Sequence, residues 1–369
     1  MSDPEPSRAG LPGLTGARGI AAWFVVLYHV RPGLSASASP EFIGLLGKGY
    51  LAVDFFFMLS GFVLWLNYAD KLRAAGLSAA PGFLARRIAR IWPLHLVVLA
   101  GAVALALVLQ ASGRQDPGSY PWAELPLHIL LLQNWGFTST LSWNDPAWSI
   151  SCEWAAYLLF PLLALAINWR RVPSALLVAI IALLALILHA AMANHGARTL
   201  GVDIPRFGLL RALIEFGIGT MVCSLWQRWQ ERPSSPATIG LAAAIVLAIL
   251  TATGTLPETF TIPLAFAALL LGLSLTAAHP ANPVAWRPIV YLGEISYATY
   301  LVHFLLYVAF KLLFVDDPFA VPLPLLAAFL LLTFTASTWL HHLVELPAQR
   351  GLRRLFEPRP RERCAAAAL

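Results

Sequence analysis

Charge is what this sequence has least of. Asp, Glu, Lys and Arg make up only 12% of its 369 residues, about half the ~25% of a soluble globular domain, so an ordinary soluble enzyme is excluded. Cysteine is scarce as well. Cys152, Cys223 and Cys364 lie far apart and match no disulfide or metal-ligand spacing. No Gly-rich nucleotide loop, nucleophile elbow or His-Glu-x-x-His run occurs. The formal net charge is +6, but the basic residues sit at the ends of apolar runs and form no soluble patch, so they point to topology and not to nucleic acid.

What is abundant is apolar: 59% of the residues are hydrophobic, and mean hydropathy is +0.70. Runs long enough to cross ~30 Å of hydrocarbon recur along the chain. They are continuous in Leu, Ala, Val and Ile without period-two alternation, which argues against a β-barrel. The expectation is an all-α polytopic membrane protein of about ten transmembrane helices, at 14–31, 49–68, 88–110, 147–168, 173–192, 207–226, 236–253, 260–278, 290–314 and 322–345. Leu125 to Phe137 is too short to cross and reads as re-entrant or interfacial. Most of the 25 Lys and Arg, including Arg8, Arg86, Arg170, Arg171 and Arg350, fall on one side of this arrangement, which places both termini in the cytoplasm. Residues 1–13 then form a cytoplasmic lead with no signal-peptide cleavage pattern. Residues 14–347 form one membrane domain, and 348–369 a basic tail that attraction to anionic lipid explains.

Ionisable groups inside spans are costly and default to functional candidates. The first span carries Arg18 and His29, eleven residues and so about three turns apart, on one face and ~16 Å apart along the axis. His29 is a candidate general base or proton relay. Asp54, near the start of the second span, needs a partner, and His29, Arg206 and Arg211 are the candidates. Arg87 and Arg90 share a face at the cytoplasmic edge, where a guanidinium pair suits phosphate. Pro93 follows and should free backbone groups.

Ser149 and Glu153 share a face of the fourth span, beside Trp148. Arg211 and Glu215 are spaced for an ion pair in the sixth. Ser296, Tyr300 and His303 make one stripe in the ninth, facing the bundle interior or a cavity. Ser60-Gly61 suits close helix packing. His341, His342 and Glu345 do not make a metal site, because adjacent histidines point apart on a helix, and no metal is expected.

The stretches LTGARGIAAWFVVLYH, VDFFFMLSGF, RRIARIWP, PAWSISCEW, RALIEFGIG, ISYATYLVH and the closing ELP, in this order over about residues 14–350, resemble the integral-membrane acyltransferase type 3 family. Thr15 stands where family members often carry an acid. The resemblance implies an O-acyltransferase with ten spans in the inner membrane. Its acyl donor is a cytoplasmic acyl-CoA, commonly acetyl-CoA, used as a substrate with no permanently bound cofactor. Its acceptor is a hydroxyl of a sugar in an exopolysaccharide, lipopolysaccharide or other glycan, free or lipid-linked; lipids and small molecules are alternative acceptors. With no added esterase-like domain, transfer is expected to finish in the membrane domain or on its outer face. On this reading Arg18, Arg87 and Arg90 bind the donor. His29, oriented by Asp54 or Glu153, is the base, and Ser60, Trp148, Ser149, Arg211, Glu215, Ser296, Tyr300 and His303 line the chamber. The rival class is a transporter or flippase, against which the absence of an internal repeat counts.

Overall fold

The structure, a computed structural model, describes residues 11–114, 116–277, 279 and 282–356. Most of the expected lead, the end of the basic tail and Cys364 lie outside the described residues.

Ten helices of 18 residues or more carry the described fold, and no strand is found among them. They are α1 (Pro12–Val30), α2 (Ala52–Ala75), α3 (Ala80–Ala111), α4 (Ala147–Ala166), α5 (Ser174–Ala193), α6 (Ile204–Trp229), α7 (Ser234–Ala252), α8 (Glu258–Thr276), α9 (Ser296–Phe314) and α10 (Leu323–Leu340). Eight segments are long and apolar enough to cross a membrane. One of these, Pro40–Ala111, holds both α2 and α3, separated where Gly76 takes φ +67°, a conformation that glycine adopts without a Cβ penalty. Adding α1, which three glycines and Arg18 leave less apolar, gives ten. This is a multi-pass membrane fold.

Two expected spans differ in detail. The ninth is broken: a short helix, Arg287–Glu294, ends before α9 starts at Ser296. The carbonyl of Gly293, left over at that helix end, takes hydrogen bonds from the Ser296 hydroxyl and from Arg18. The tenth α-helix stops at Leu340 and passes through one π-turn, His341–Glu345, before the helix Leu346–Phe356. α3, by contrast, runs on through Pro93.

α1 is central, packed against α2, α9 and the Arg287–Glu294 helix. Gly16 and Gly19 allow it: a Cβ at either would strike the backbone of Val284 or of Leu292 and Gly293. α2 and α6 meet as closely, with Gly61 against Phe216 and Gly219 against Met58, the small-residue contact that substitutes for hydrophobic drive inside lipid. The outer helices α5, α7 and α10 expose Leu186, Val246 and Leu331, as lipid-facing surfaces should.

Leu125 to Phe137 does not cross. It forms the short helix Leu125–Leu130 and a buried turn in which Leu131 takes φ 56°. The Ser151 hydroxyl donates to the Leu131 carbonyl, and His95 on α3 bonds the His128 carbonyl. The segment therefore plugs the space between α3 and the start of α4.

Candidate active site

Among the described residues, two of the cavities inside the bundle lie on opposite sides of its middle. The first, about 150 Å³, lies towards the start of α1 and is lined by Arg18, Arg87, Arg90, Glu153, Ser60 and Tyr297 among others. The second, about 250 Å³, lies towards the end of α1, with His29, Arg31, Asp145, Trp148 and Arg211 in its wall. One helix thus sends Arg18 into one cavity and His29 into the other.

The first cavity collects guanidinium groups. Arg18 gives Nε and Nη2 to the Gly293 carbonyl, at 3.1 and 2.8 Å. Arg87 donates to the Tyr68 hydroxyl at 3.1 Å and lies against the rings of Tyr68, Phe83 and Tyr157. Arg90 stands over the Tyr297 ring and pairs with Glu345 of the π-turn. Glu345, only 1% exposed, also accepts from His341 at 3.0 Å and Gln349 at 3.2 Å. His341 and Glu345 therefore serve Arg90, and among the described residues no cluster of His, Cys, Asp and Glu could hold a metal ion. Glu153 takes 2.6 Å hydrogen bonds from Ser60 and Tyr157 on the same oxygen. Among the lining residues three arginines face one carboxylate, that of Glu153, so the wall of the cavity carries an excess of positive charge.

The second cavity is organised by His29. Its Nδ1 is 3.0 Å from the Val25 carbonyl, which can only accept, so Nδ1 carries the proton. Behind it, His303 donates Nδ1–H to the Thr299 carbonyl at 3.0 Å and offers Nε2 to His29 Nδ1 at 3.1 Å. The network assigns one tautomer to each ring. His29 Nε2 keeps its lone pair, the form a general base requires.

Three expected pairings are corrected. Asp54 does not orient His29: Oδ1 of Asp54 is taken by Arg211, at 3.0 Å from Nε and 2.7 Å from Nη2, a fork that a rigid guanidinium fits better than an imidazole does. Glu153 does not orient it either, because it lies in the arginine-lined cavity. The spaced pair Arg211–Glu215 gives way to Arg211–Asp54. Neither Glu215 oxygen receives a hydrogen bond. Arg211 also stands 5.3 Å from the Trp148 ring. Arg206, the other candidate partner of Asp54, lies 3.8 Å from Asp203 instead.

The stripe of α9 is divided by depth. Ser296 reaches the first cavity, His303 backs His29, and Tyr300 touches both cavities. The Tyr300 hydroxyl is 2.8 Å from Ser149 Oγ and donates to the Pro146 carbonyl at 3.1 Å.

Sequence reasoning missed Asp145, which it counted only as an acid of an outer loop. Burial pushes its carboxyl up to about 6. It follows Trp143 (φ 61°) and Asn144, whose amide pins the loop to the Leu301 carbonyl at 2.9 Å. Tyr157 was missed too, though its position four residues after Glu153 was a readable signal.

A family profile described as an acyltransferase domain matches residues 11–342, the span that contains every residue of both cavities. The chain belongs to the acyltransferase type 3 family. Among relatives of this family member, acyltransferase MdmB of Streptomyces mycarofaciens is 35% identical over 162 residues, covering 42% of this chain and 40% of the relative. Protein 2 in picA locus of Rhizobium radiobacter is 37% identical over 169 residues, 42% of this chain and 81% of that protein. A Bacillus subtilis (strain 168) protein provisionally named peptidoglycan O-acetyltransferase YrhL is 25% identical over 337 residues, 80% of this chain and 48% of the relative. The chain thus spans half or less of the length of two of these three. No solved structure matches it.

Proposed function

We propose that the chain is a membrane-embedded O-acyltransferase of the inner membrane, with both termini cytoplasmic. It moves an acyl group, acetyl in the simplest case, from cytoplasmic acyl-CoA to a hydroxyl of a glycan acceptor. The observation that carries this reading is His29: an imidazole held as a base in one cavity, a single layer of side chains away from a cavity lined by three arginines.

In this reaction Arg18, Arg87 and Arg90 bind phosphates of the donor, a task for which forked guanidinium groups are suited. The acceptor hydroxyl sits at His29 Nε2 and gives up its proton as its oxygen attacks the thioester carbonyl. The new C–O bond forms, the C–S bond breaks, and the CoA thiolate leaves and takes up a proton. His303 stabilises the tautomer of His29 throughout. Tyr28, Tyr50 and Trp148 around the second cavity, with Asp145 in its wall, suit a polyol that offers C–H faces and hydroxyls in turn. No permanently bound cofactor is required.

The test is the purified chain in liposomes with acyl-labelled acetyl-CoA and a glycan acceptor. Acceptor-dependent release of free CoA thiol, lost in His29→Ala, is the expected result. Movement of label across the bilayer with the thioester intact would make the protein a transporter instead.

A further inference from the structure

We infer that Tyr300 and Val53 form a single-layer partition between the two cavities, one that passes a short acyl group and holds back water and ions. The inference rests on the acyl-transfer reading for what crosses, and on geometry alone for the seal.

Of all the residues lining the two cavities, only Val53 and Tyr300 belong to both. Each is 5% exposed. Tyr300 is fastened from several directions: its hydroxyl to Ser149 Oγ and the Pro146 carbonyl, its ring edge against Phe56 at 5.8 Å, and its far side near His303 at 6.1 Å between ring centroids. Val53 is β-branched and stiff on its helix. The tyrosine ring and the isopropyl group are thus what the cavity of the arginine cluster and the cavity of the base have in common.

Physical chemistry demands such a wall. A water-filled passage joining the two ends of a membrane bundle would dissipate ion and proton gradients. A closed wall would keep the thioester from the acceptor. The economical solution is a thin barrier that only the end of the donor penetrates. The acyl tail leads when a thioester enters from the arginine side, so each added methylene occupies space at His29 that the acceptor needs. An acetyl carbonyl reaches the barrier with one methyl ahead of it. Longer chains must displace acceptor, and selection for short acyl groups follows.

The experiment uses the full chain in liposomes, wild type beside Val53→Ala, Tyr300→Phe and Tyr300→Ala, with folding checked by thermal unfolding. Acetyl-, propionyl- and butanoyl-CoA are compared as donors, and decay of an imposed pH gradient is followed without any donor. In the wild type each added methylene should lower kcat/KM by about tenfold or more. Val53→Ala should erase most of that difference without a leak. Tyr300→Phe, which keeps the ring but loses both hydrogen bonds, should retain the acyl preference and raise acceptor-independent thioester hydrolysis. Tyr300→Ala should collapse the gradient. A gradient lost in Tyr300→Ala with no acyl transfer by any variant would uphold the seal and overturn the donor assignment. Folded Val53→Ala and Tyr300→Ala proteins with wild-type acyl ranking and wild-type tightness would overturn the partition.

Discussion

Nε2 of His303 lies 3.1 Å from Nδ1 of His29, and the carbonyl behind each ring fixes the direction of that hydrogen bond. Thr299 takes the proton-bearing nitrogen of His303, so His303 accepts. Val25 requires a proton on His29 Nδ1, so His29 donates. The pair leaves one bare nitrogen at the cavity, on His29.

His303 is therefore a positioning residue whose value lies in its acceptor nitrogen. His303→Phe should lower kcat by roughly 10- to 100-fold, comparable to the loss when a metal-ligating histidine is deprived of its hydrogen-bond partner. It should also shift the pH profile of kcat, and leave donor KM in place. His303→Gln offers an amide oxygen to the same proton and should recover part of the rate. Equal losses in both variants with an unchanged pH profile would mean that the ring serves packing only.

Arg90 and Glu345 are 25% and 1% exposed, so removing the guanidinium strands a buried carboxylate. Losing one partner of a fully buried pair costs ~3–5 kcal/mol. His341 and Gln349 still donate to Glu345, and Arg90→Ala should cost about 2 kcal/mol in thermal unfolding. Arg90→Ala should also raise donor KM, and Arg90→Met combined with Glu345→Leu should regain most of the stability yet keep that raised KM. That outcome separates the structural part of the pair from its donor-binding part.

The α2–α6 contact makes a sharper stability test. A methyl at Gly61 would meet the Phe216 backbone, which cannot swing aside, whereas a methyl at Gly217 meets nothing within 4 Å. Gly61→Ala should destabilise by about 1–3 kcal/mol and weaken activity by shifting Asp54 from Arg211. Gly217→Ala should be neutral in both measurements.

Asp145 supplies a pH dependence. Its carboxyl is raised to about 6 by burial, above its unfolded value of ~3.9. The folded protein therefore holds this proton more tightly. The stabilisation is full below pH ~4 and fades as pH rises through 6. The ionised carboxylate that accepts from a substrate hydroxyl is the form above 6. Acceptor KM should fall as pH rises across that value in the wild type, and Asp145→Asn should flatten this limb while donor KM stays constant.

Much of the bundle was legible in the chain. The apolar runs locate the long helices because each must satisfy its own backbone inside lipid, and one run of about 20 residues is one helix. The breaks that escaped notice, at Ile295 and through His341–Glu345, answer to distant partners: Arg18 caps the Gly293 carbonyl, and Arg90 draws in Glu345. Neither partner is near in sequence.

The sequence by itself determined the membrane class, the helices and the residue types of the site, because burial of a charge in hydrocarbon is so costly that each one signals a role. Which charge answers which was decided only by tertiary structure. Asp54 and His29 share an end of the bundle, yet Arg211, 157 residues from Asp54, takes that carboxylate, and a second histidine from α9 takes the imidazole. Helical spacing places side chains along one helix face. It carries no information on the rotation that brings another helix against that face, and the pairing of buried polar groups depends on that rotation.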